Sequence, residues 1–109
     1  MLSTKEYVLI LGAGQTGISA AKFLKKNNFK IFGSLIESSK NIDEIDFNSK
    51  CAVIMGTEAD SISSEFIEQS NECFKIPMTG NVDSLNLSVS TGIILYEVMN
   101  QRKSINFSK

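Results

Sequence analysis

The chain has 109 residues, of which 42% are hydrophobic and 21% charged, and its net charge at pH 7 is −1. These values are typical of one small globular domain with a modest core. The sequence contains no histidine, which excludes hydrolases of the Ser-His-Asp and Cys-His classes. Nucleic-acid-binding domains that act alone are usually basic, so we expect RNA binding by this chain alone to be weak.

Membrane and metal functions are not expected. No apolar run reaches the roughly 20 residues of a membrane span, and the N-terminus lacks a signal-peptide pattern, so we expect a cytoplasmic protein without membrane contact. Cys51 and Cys73 are far apart in the sequence and form no metal-binding pair. We therefore predict buried, inert thiols and no metal.

The first elements form a βαβ unit with a glycine loop. Tyr7 to Leu11 is a continuous β-rich apolar run, typical of a strand buried on both faces. A helix is predicted from Gln15 to Lys26, with Ile18, Ala21 and Leu24 facing inward, and a second strand begins at Phe29.

Three glycines, Gly12, Gly14 and Gly17, lie at the junction of the first strand and the first helix and have dinucleotide-binding spacing. Such a loop lets backbone N–H groups approach a phosphate, which predicts a nucleotide-phosphate site. The alternative is a turn needed only for close packing, because the second strand ends in Gly33-Ser34 and lacks the acidic residue that holds a ribose. The stretch up to Leu24 also resembles the opening βα unit of Mur ligases.

The middle of the chain supplies a loop, a strand and a short helix. Ser38 to Lys50 is polar and acidic and is predicted to be a surface loop with at most one helical turn. Cys51 to Met55 reads as a buried strand, and Gly56 and Glu58 follow it where ligands gather in α/β sheets. Ser61 to Gln69 is predicted to be a helix, and the side chains expected to face inward are those of Ile62, Phe66 and Ile67.

The last third contains a strand end, a loop and an apolar helix. Phe74 to Met78 is predicted to be the last strand, which Pro77 helps to end because proline cannot donate a ladder hydrogen bond. Asp83 or Ser84 can cap the next helix. The four residues Ile93 to Tyr96 are apolar around the whole circumference of that helix, whereas the tail from Gln101 to Lys109 is predicted to fray.

Motifs in two places resemble the SPOUT (SpoU/TrmH-type) RNA ribose methyltransferases, over residues 23–103. One is the Gly56-x-Glu58 step, although Ser61 stands where the family usually has another glycine. The other begins at Ile76-Pro77-Met78, continues through Gly80 and Ser84-Leu85-Asn86, and ends in Ile94 to Glu97. The resemblance implies a C-terminal trefoil knot that holds S-adenosylmethionine.

The resemblance also implies which residues form the site. The backbone at Gly56, Ile76, Met78 and Leu85 would hold the adenosine of the methyl donor. The methyl-transfer site would be lined by Glu58, Ser84 and Asn86. A ribose 2′-hydroxyl would attack the donor's methyl group, a reaction that depends strongly on positioning.

The N-terminal part departs from this family. The family's asparagine and catalytic arginine have no counterpart, and the only arginine, Arg102, is placed beyond the last helix. The chain therefore looks composite, and three hypotheses stay open. The first is a donor-binding domain, weak or inactive as a catalyst alone. The second is a nucleotide-phosphate module that uses the glycine loop, and the third is an engineered or chimeric knotted scaffold without activity.

The expected fold is α/β, with about four mainly parallel strands, flanking helices and a knotted C-terminus. We divide the single domain, residues 1–109, into a glycine-loop unit (1–24), a SPOUT-like region (25–103) and a tail (104–109). We also expect a homodimer, because the resemblance implies pairing through the last helix. Its apolar surface from Ile93 to Met99 also exceeds what so small a chain can cover.

Overall fold

A computed structural model describes residues 8–36, 38–56, 64–77 and 87–107, in which a parallel four-stranded sheet carries helices on both faces. The strands are β1 (Val8–Gly12), β2 (Lys30–Ser34), β3 (Cys51–Met55) and β4 (Glu72–Phe74). The helices are α1 (Gln15–Lys26), α2 (Ser64–Gln69) and α3 (Leu87–Phe107), and a 3-10 turn covers Ile42–Glu44. The predicted α/β architecture with mainly parallel strands is confirmed.

The strands lie in the order β1-β3-β2-β4, and every neighbouring pair is parallel. Gly12 and Ser34 are both in register with Met55, and Ser34 is also in register with Phe74. The carboxyl ends of all four strands therefore meet at one edge. Ligands of open α/β sheets bind outside this edge.

The alternation of side chains along β3 creates two cores. Cys51, Val53 and Met55 point to one face, whereas Ala52 and Ile54 point to the other. All five are buried, as predicted, because β3 is paired on both sides and covered on both faces. The first core is covered by α3 and the segment around the 3-10 turn, and the second by α1 and α2. The first also contains Phe32, Phe47, Phe74, Ile94 and Val98, and the second contains Ile18, Ala21, Ile31 and Phe66.

Helix α1 has its predicted limits, with Ile18 and Ala21 buried and Leu24 partly buried. It ends where Asn28 takes a positive φ of 70°, a conformation that asparagine tolerates better than most residues. Lysines in its last turn favour the same end point because they face the negative end of the helix dipole. Local sequence therefore accounts for this helix.

Three predictions about element limits and burial were wrong. Strand β1 lies at the edge of the described sheet, so Val8 and Ile10 are half-buried rather than buried on both faces. The last strand ends at Phe74, not Met78, and only an isolated bridge between Asn41 and Lys75 extends it. In α2, Phe66 is buried as predicted, but Ile67 is half exposed. Ile62 and Met78 lie outside the described residues.

The segment from Ser38 to Lys50 is not the surface loop that its polarity predicted. The expected helical turn is present, but Ile42, Ile45 and Phe47 are buried in the first core. The ring of Phe47 makes edge contacts with Phe32 and Phe74, at centroid distances of 5.3 and 5.7 Å. The physical reason is the crossover from β2 to β3, which must run over the face of the sheet that α3 shares.

The predicted frayed tail is also wrong, because α3 continues to Phe107 and Gln101 and Arg102 lie within it. The side chains of both residues bind the backbone of the 45–49 segment, which holds the last turns of the helix in place. Within the described ranges, no helix is long and apolar enough to cross a membrane.

Candidate functional site

The carboxyl edge of the sheet brings the turns after β3 and β4 to either side of the end of β2. The Gly56 N–H donates to the Ser34 carbonyl at 3.0 Å, and the Leu35 N–H donates to the Phe74 carbonyl at 2.8 Å. Gly56 and the residues after Phe74 are thus separated by one strand, which corresponds to about 10 Å. We call the part of the carboxyl edge between these two turns the crevice, because ligands of open α/β sheets bind outside such an edge.

Two of the predicted donor-binding residues are placed at this crevice. Gly56 directly follows β3 and is half-buried. Ile76 follows β4 and packs against the first core. The remaining residues that were predicted for donor binding and methyl transfer lie outside the described residues. They are Glu58, Met78, Ser84, Leu85 and Asn86.

The exit from β4 is held by a segment that the sequence did not single out. The Ile42 N–H donates to the Lys75 carbonyl at 2.9 Å, and the Lys75 N–H donates to the Lys40 carbonyl at 2.8 Å. The ammonium group of Lys40 forms an ion pair with Glu72, and this hydrogen bond raises the pKa of Lys40. Residues 40–42 therefore hold the backbone that leads into Ile76 on the side of β4 that faces away from β2.

The glycine loop after β1 lies at the same edge of the sheet, and its glycines differ in how much space a side chain would have. A Cβ atom on Gly17 would lie 1.7 Å from the Gly12 carbonyl oxygen, so α1 can pack this closely only with glycine there. At Gly12 and Gly14 an added Cβ meets nothing within 4 Å. No side chain caps the start of α1, and its first turn has no acidic residue. The third glycine therefore serves packing, and phosphate binding at the other two stays a prediction.

The charged surfaces in the described part of the chain do not favour RNA. Lys22 forms an ion pair with Glu65 at 3.0 Å, and Lys25 donates to the Glu68 carbonyl at 3.3 Å, so two of the three lysines of α1 join it to α2. Beside α3 lies an open acidic pocket of about 440 Å³. Its lining residues are Asp43, Glu44, Ile45, Asp46, Asn48, Glu97 and Gln101. Carboxylates repel a phosphate backbone, so this pocket disfavours nucleic acid.

Asp46 keeps its negative charge in this pocket at neutral pH. The Asn48 backbone N–H and side-chain amide both donate to its carboxylate, at 3.0 and 2.8 Å, and these hydrogen bonds lower the pKa of Asp46. The negative charge of Asp46 is therefore stabilised by the backbone and the side chain of Asn48.

Arg102 is far from the crevice. Its guanidinium group donates to the Phe47 and Ser49 carbonyls, both at 2.9 Å, just before β3 begins. This is the amino edge of the sheet, and a five-residue strand separates it from Gly56 by roughly 15–20 Å. Within one chain, Arg102 therefore cannot take the place of a catalytic arginine at the crevice.

The two cysteines differ in their surroundings. Cys51 is fully buried, as predicted, and burial raises the pKa of its thiol to about 11 despite the nearby charge of Arg102. Cys73 is only partly buried. Among the residues that the structure describes, no group of three histidine, cysteine or acidic side chains could hold a metal ion.

Comparisons with known proteins identify one family for most of the chain. The sequence model of the SpoU rRNA Methylase family matches residues 3–96. The tRNA (guanosine(18)-2′-O)-methyltransferase of Thermus thermophilus is 36% identical over 84 residues, which are 76% of this chain and 43% of that protein. The enzyme of the same name from Aquifex aeolicus is 39% identical over 80 residues, which are 72% of this chain and 38% of that protein.

Solved structures give the same result. The crystal structure of the A. aeolicus TrmH/SpoU tRNA modifying enzyme superposes with a TM-score of 0.72 and 33% identity, over 82% of this chain and 46% of that one. The chain thus spans less than half the length of the relatives that it matches. The matched family, the identity to these enzymes and the shared fold lead to one conclusion: this chain belongs to the SpoU rRNA methylase family.

Proposed function

We propose that this chain is the methyl-donor-binding part of an RNA ribose 2′-O-methyltransferase, with S-adenosylmethionine as the donor. The observation that carries the proposal is the crevice at the carboxyl edge, where Gly56 and Ile76 flank the end of β2 in a chain of this family. The trefoil knot implied by the resemblance belongs to the same proposal, because the segment that would thread, residues 78–86, lies outside the described residues.

The chemistry of the crevice fits an adenosine. Backbone N–H and carbonyl groups at strand ends can pair with a neutral base and a ribose, and they need no charged partner. In the proposal, the backbone at Gly56, Ile76, Met78 and Leu85 holds this part of the donor. The sulfonium group of a bound donor supplies an activated methyl carbon.

The proposed transfer is a direct displacement. A lone pair of the ribose 2′-oxygen forms the new bond to the methyl carbon while the carbon–sulfur bond breaks. The electron pair of that bond stays on sulfur, and the hydroxyl proton passes to solvent water. Glu58, Ser84 and Asn86 are assigned to the place where the acceptor hydroxyl is held. Their contribution is orientation of the hydroxyl and acceptance of a hydrogen bond from it.

We expect the chain to bind the methyl donor but to transfer the methyl group poorly. The donor side of the site acts mainly through backbone, so it needs only the fold. The acceptor side needs a charged or basic partner, and Arg102 lies at the opposite edge of the sheet. A positioned acid–base group contributes about 10²–10⁴-fold to a rate. Purified chain should therefore bind the donor and methylate bulk tRNA or rRNA only at background level.

We also propose that the protein is a homodimer that pairs through α3. Val89, Tyr96 and Met99 are spaced by seven and three residues, so they lie along one side of the helix. They are 50%, 70% and 70% exposed. A stripe of large apolar side chains on the surface of so small a domain favours burial against a second copy.

Calorimetric titration separates the functional alternatives. S-adenosylhomocysteine should bind, whereas NAD and UDP should not; binding of NAD or UDP alone would favour the glycine loop as a phosphate site. Leu85→Arg should abolish the S-adenosylhomocysteine signal by filling the pocket. Gly14→Val is the matched control, because an added Cβ there meets nothing within 4 Å. A folded protein that binds none of these at millimolar ligand would contradict the proposal.

A further inference from the structure

Two neighbouring side chains near the end of α3 grip the 45–49 segment by its backbone. Gln101 donates to the Ile45 carbonyl at 2.7 Å and accepts from the Phe47 N–H at 2.8 Å. Arg102 donates to the Phe47 and Ser49 carbonyls. We call this set of four hydrogen bonds, made by Gln101 and Arg102, the α3 clamp.

The geometry of the α3 clamp is specific for these two residue types. An amide side chain can donate and accept at once, which suits a carbonyl and an N–H two residues apart. A guanidinium group presents several donors in a rigid fork, which suits two carbonyls on one extended segment. Glu97 accepts a further hydrogen bond from Gln101 at 2.9 Å and so fixes the orientation of its amide.

The gripped segment is continuous with the one that holds the exit of β4. Residues 40–42 pair with Lys75, one residue before Ile76. Along this stretch, the side chains of Ile42, Ile45 and Phe47 are buried in the same core as Ile94 and Val98 of α3. One stretch, residues 40–49, therefore joins the end of β4 to α3 by hydrogen bonds at both ends and by packing between them.

These two elements bound the part of the chain to which the donor site is assigned. Lys75 leads into Ile76, and α3 begins at Leu87, directly after Leu85 and Asn86. We propose that the α3 clamp positions the donor site: Gln101 and Arg102, acting through residues 40–49, hold the two ends of the 76–86 segment at a fixed separation. The identity of the ligand in this inference rests on the proposed function. The claim that the clamp holds the ends of the segment does not depend on it.

The test compares clamp variants with a variant that destabilises the other side of the sheet. Gln101→Leu and Arg102→Leu remove the hydrogen bonds and keep bulk. Phe66→Leu is the control, because Phe66 of α2 is buried in the second core, on the opposite face of the sheet. Urea unfolding gives the stability of each variant, so that ligand affinity and local opening are compared at similar stability. Arg102→Lys, which keeps the charge, provides a milder variant if a leucine variant does not fold.

Two readouts are used, and one needs no ligand. Amide hydrogen exchange of the ligand-free protein should become roughly 10-fold faster in the clamp variants at Lys75, whose N–H donates to the Lys40 carbonyl, and at residues 91–94, the first amides of α3 with an acceptor inside the helix. Little change is expected there in Phe66→Leu. S-adenosylhomocysteine affinity should fall by roughly 10-fold in the clamp variants and by less than about 2-fold in the control, because small displacements of positioning elements are costly.

The outcomes separate this inference from the proposed function. If the wild-type protein binds no S-adenosylhomocysteine, the proposed function fails, and the exchange data still decide whether the clamp holds the segment ends. If exchange at these residues follows global stability equally in all variants, the clamp is only a structural contact and the inference is overturned. If exchange changes as expected but affinity does not, positioning of the donor site is overturned.

Discussion

Gly17 sets how closely the first helix approaches the sheet. An added Cβ would lie 1.7 Å from the Gly12 carbonyl oxygen, and both partners are backbone, so α1 or β1 must shift. We expect Gly17→Ala to lower the free energy of unfolding by about 2–3 kcal/mol, the upper part of the range of about 1–3 kcal/mol that is usual for overpacking. Gly14→Ala should change it by less than about 1 kcal/mol, because the position is open. Urea titrations of both variants make the comparison, and equal effects would contradict the packing role of Gly17.

Cys51 makes stability depend on pH in the alkaline range. Burial raises the pKa of this thiol from 9.0 to about 11 in the folded state. Between these pH values the unfolded chain loses the thiol proton and the folded chain keeps it. The contribution of Cys51 to the free energy of unfolding is therefore fully present below pH 9 and is lost as the pH rises towards 11. The expected loss by pH 11 is about 2 kcal/mol.

Cys51→Ala should remove this part of the pH dependence. The measured quantity is the difference in unfolding free energy between wild type and variant from pH 8 to pH 11, which cancels the lysine and tyrosine contributions common to both. The variant also leaves a cavity, which lowers stability equally at every pH and does not affect the slope. A constant difference across this range would show that the thiol does not titrate as expected.

At the scale of elements, the 40–49 segment is a part of the core that has no regular secondary structure beyond one turn. Phe47 is fully buried between Phe32 and Phe74, whereas Phe23 on α1 is 66% exposed. We expect Phe47→Ala to cost about 3–5 kcal/mol, which covers lost transfer energy and a cavity. Phe23→Ala should stay within about 0.5 kcal/mol. Thermal or urea unfolding measures both, and similar costs would mean that the segment is not part of the core.

At the scale of the whole molecule, the proposed homodimer depends on the exposed apolar stripe on α3. Tyr96→Glu should place a charge at the centre of the proposed dimer interface and shift light-scattering mass at micromolar concentration from dimer to monomer. Phe23→Glu is the matched control, because Phe23 is similarly exposed but lies on α1 across the sheet. A monomeric wild type, or dissociation by both variants, would contradict pairing through this face.

Local sequence by itself determined several elements of this protein. Apolar runs bounded by glycine and asparagine predicted β3 and α1 within a residue of their limits, because strand and helix periodicity and helix ends are encoded over short distances. The same reasoning placed Gly56 after β3 but kept Ile76 inside the last strand, whereas the parallel sheet brings the ends of β3 and β4 to one edge with β2 between them. The motifs around Gly56 and Ile76 led to the family, although the roles assigned to their residues stay predictions.

Only tertiary structure decided the parts that depend on partners distant in sequence. The spacing of Ile42, Ile45 and Phe47 was visible in the sequence, but their polar neighbours hid a segment that becomes core when the β2–β3 crossover passes under α3. Gln101 and Arg102 lie in a polar stretch that predicts fraying, and they are ordered by carbonyls more than 50 positions away. Burial and hydrogen-bond partners across such distances follow from topology, and no local pattern of residues records which strand, turn or helix will lie opposite.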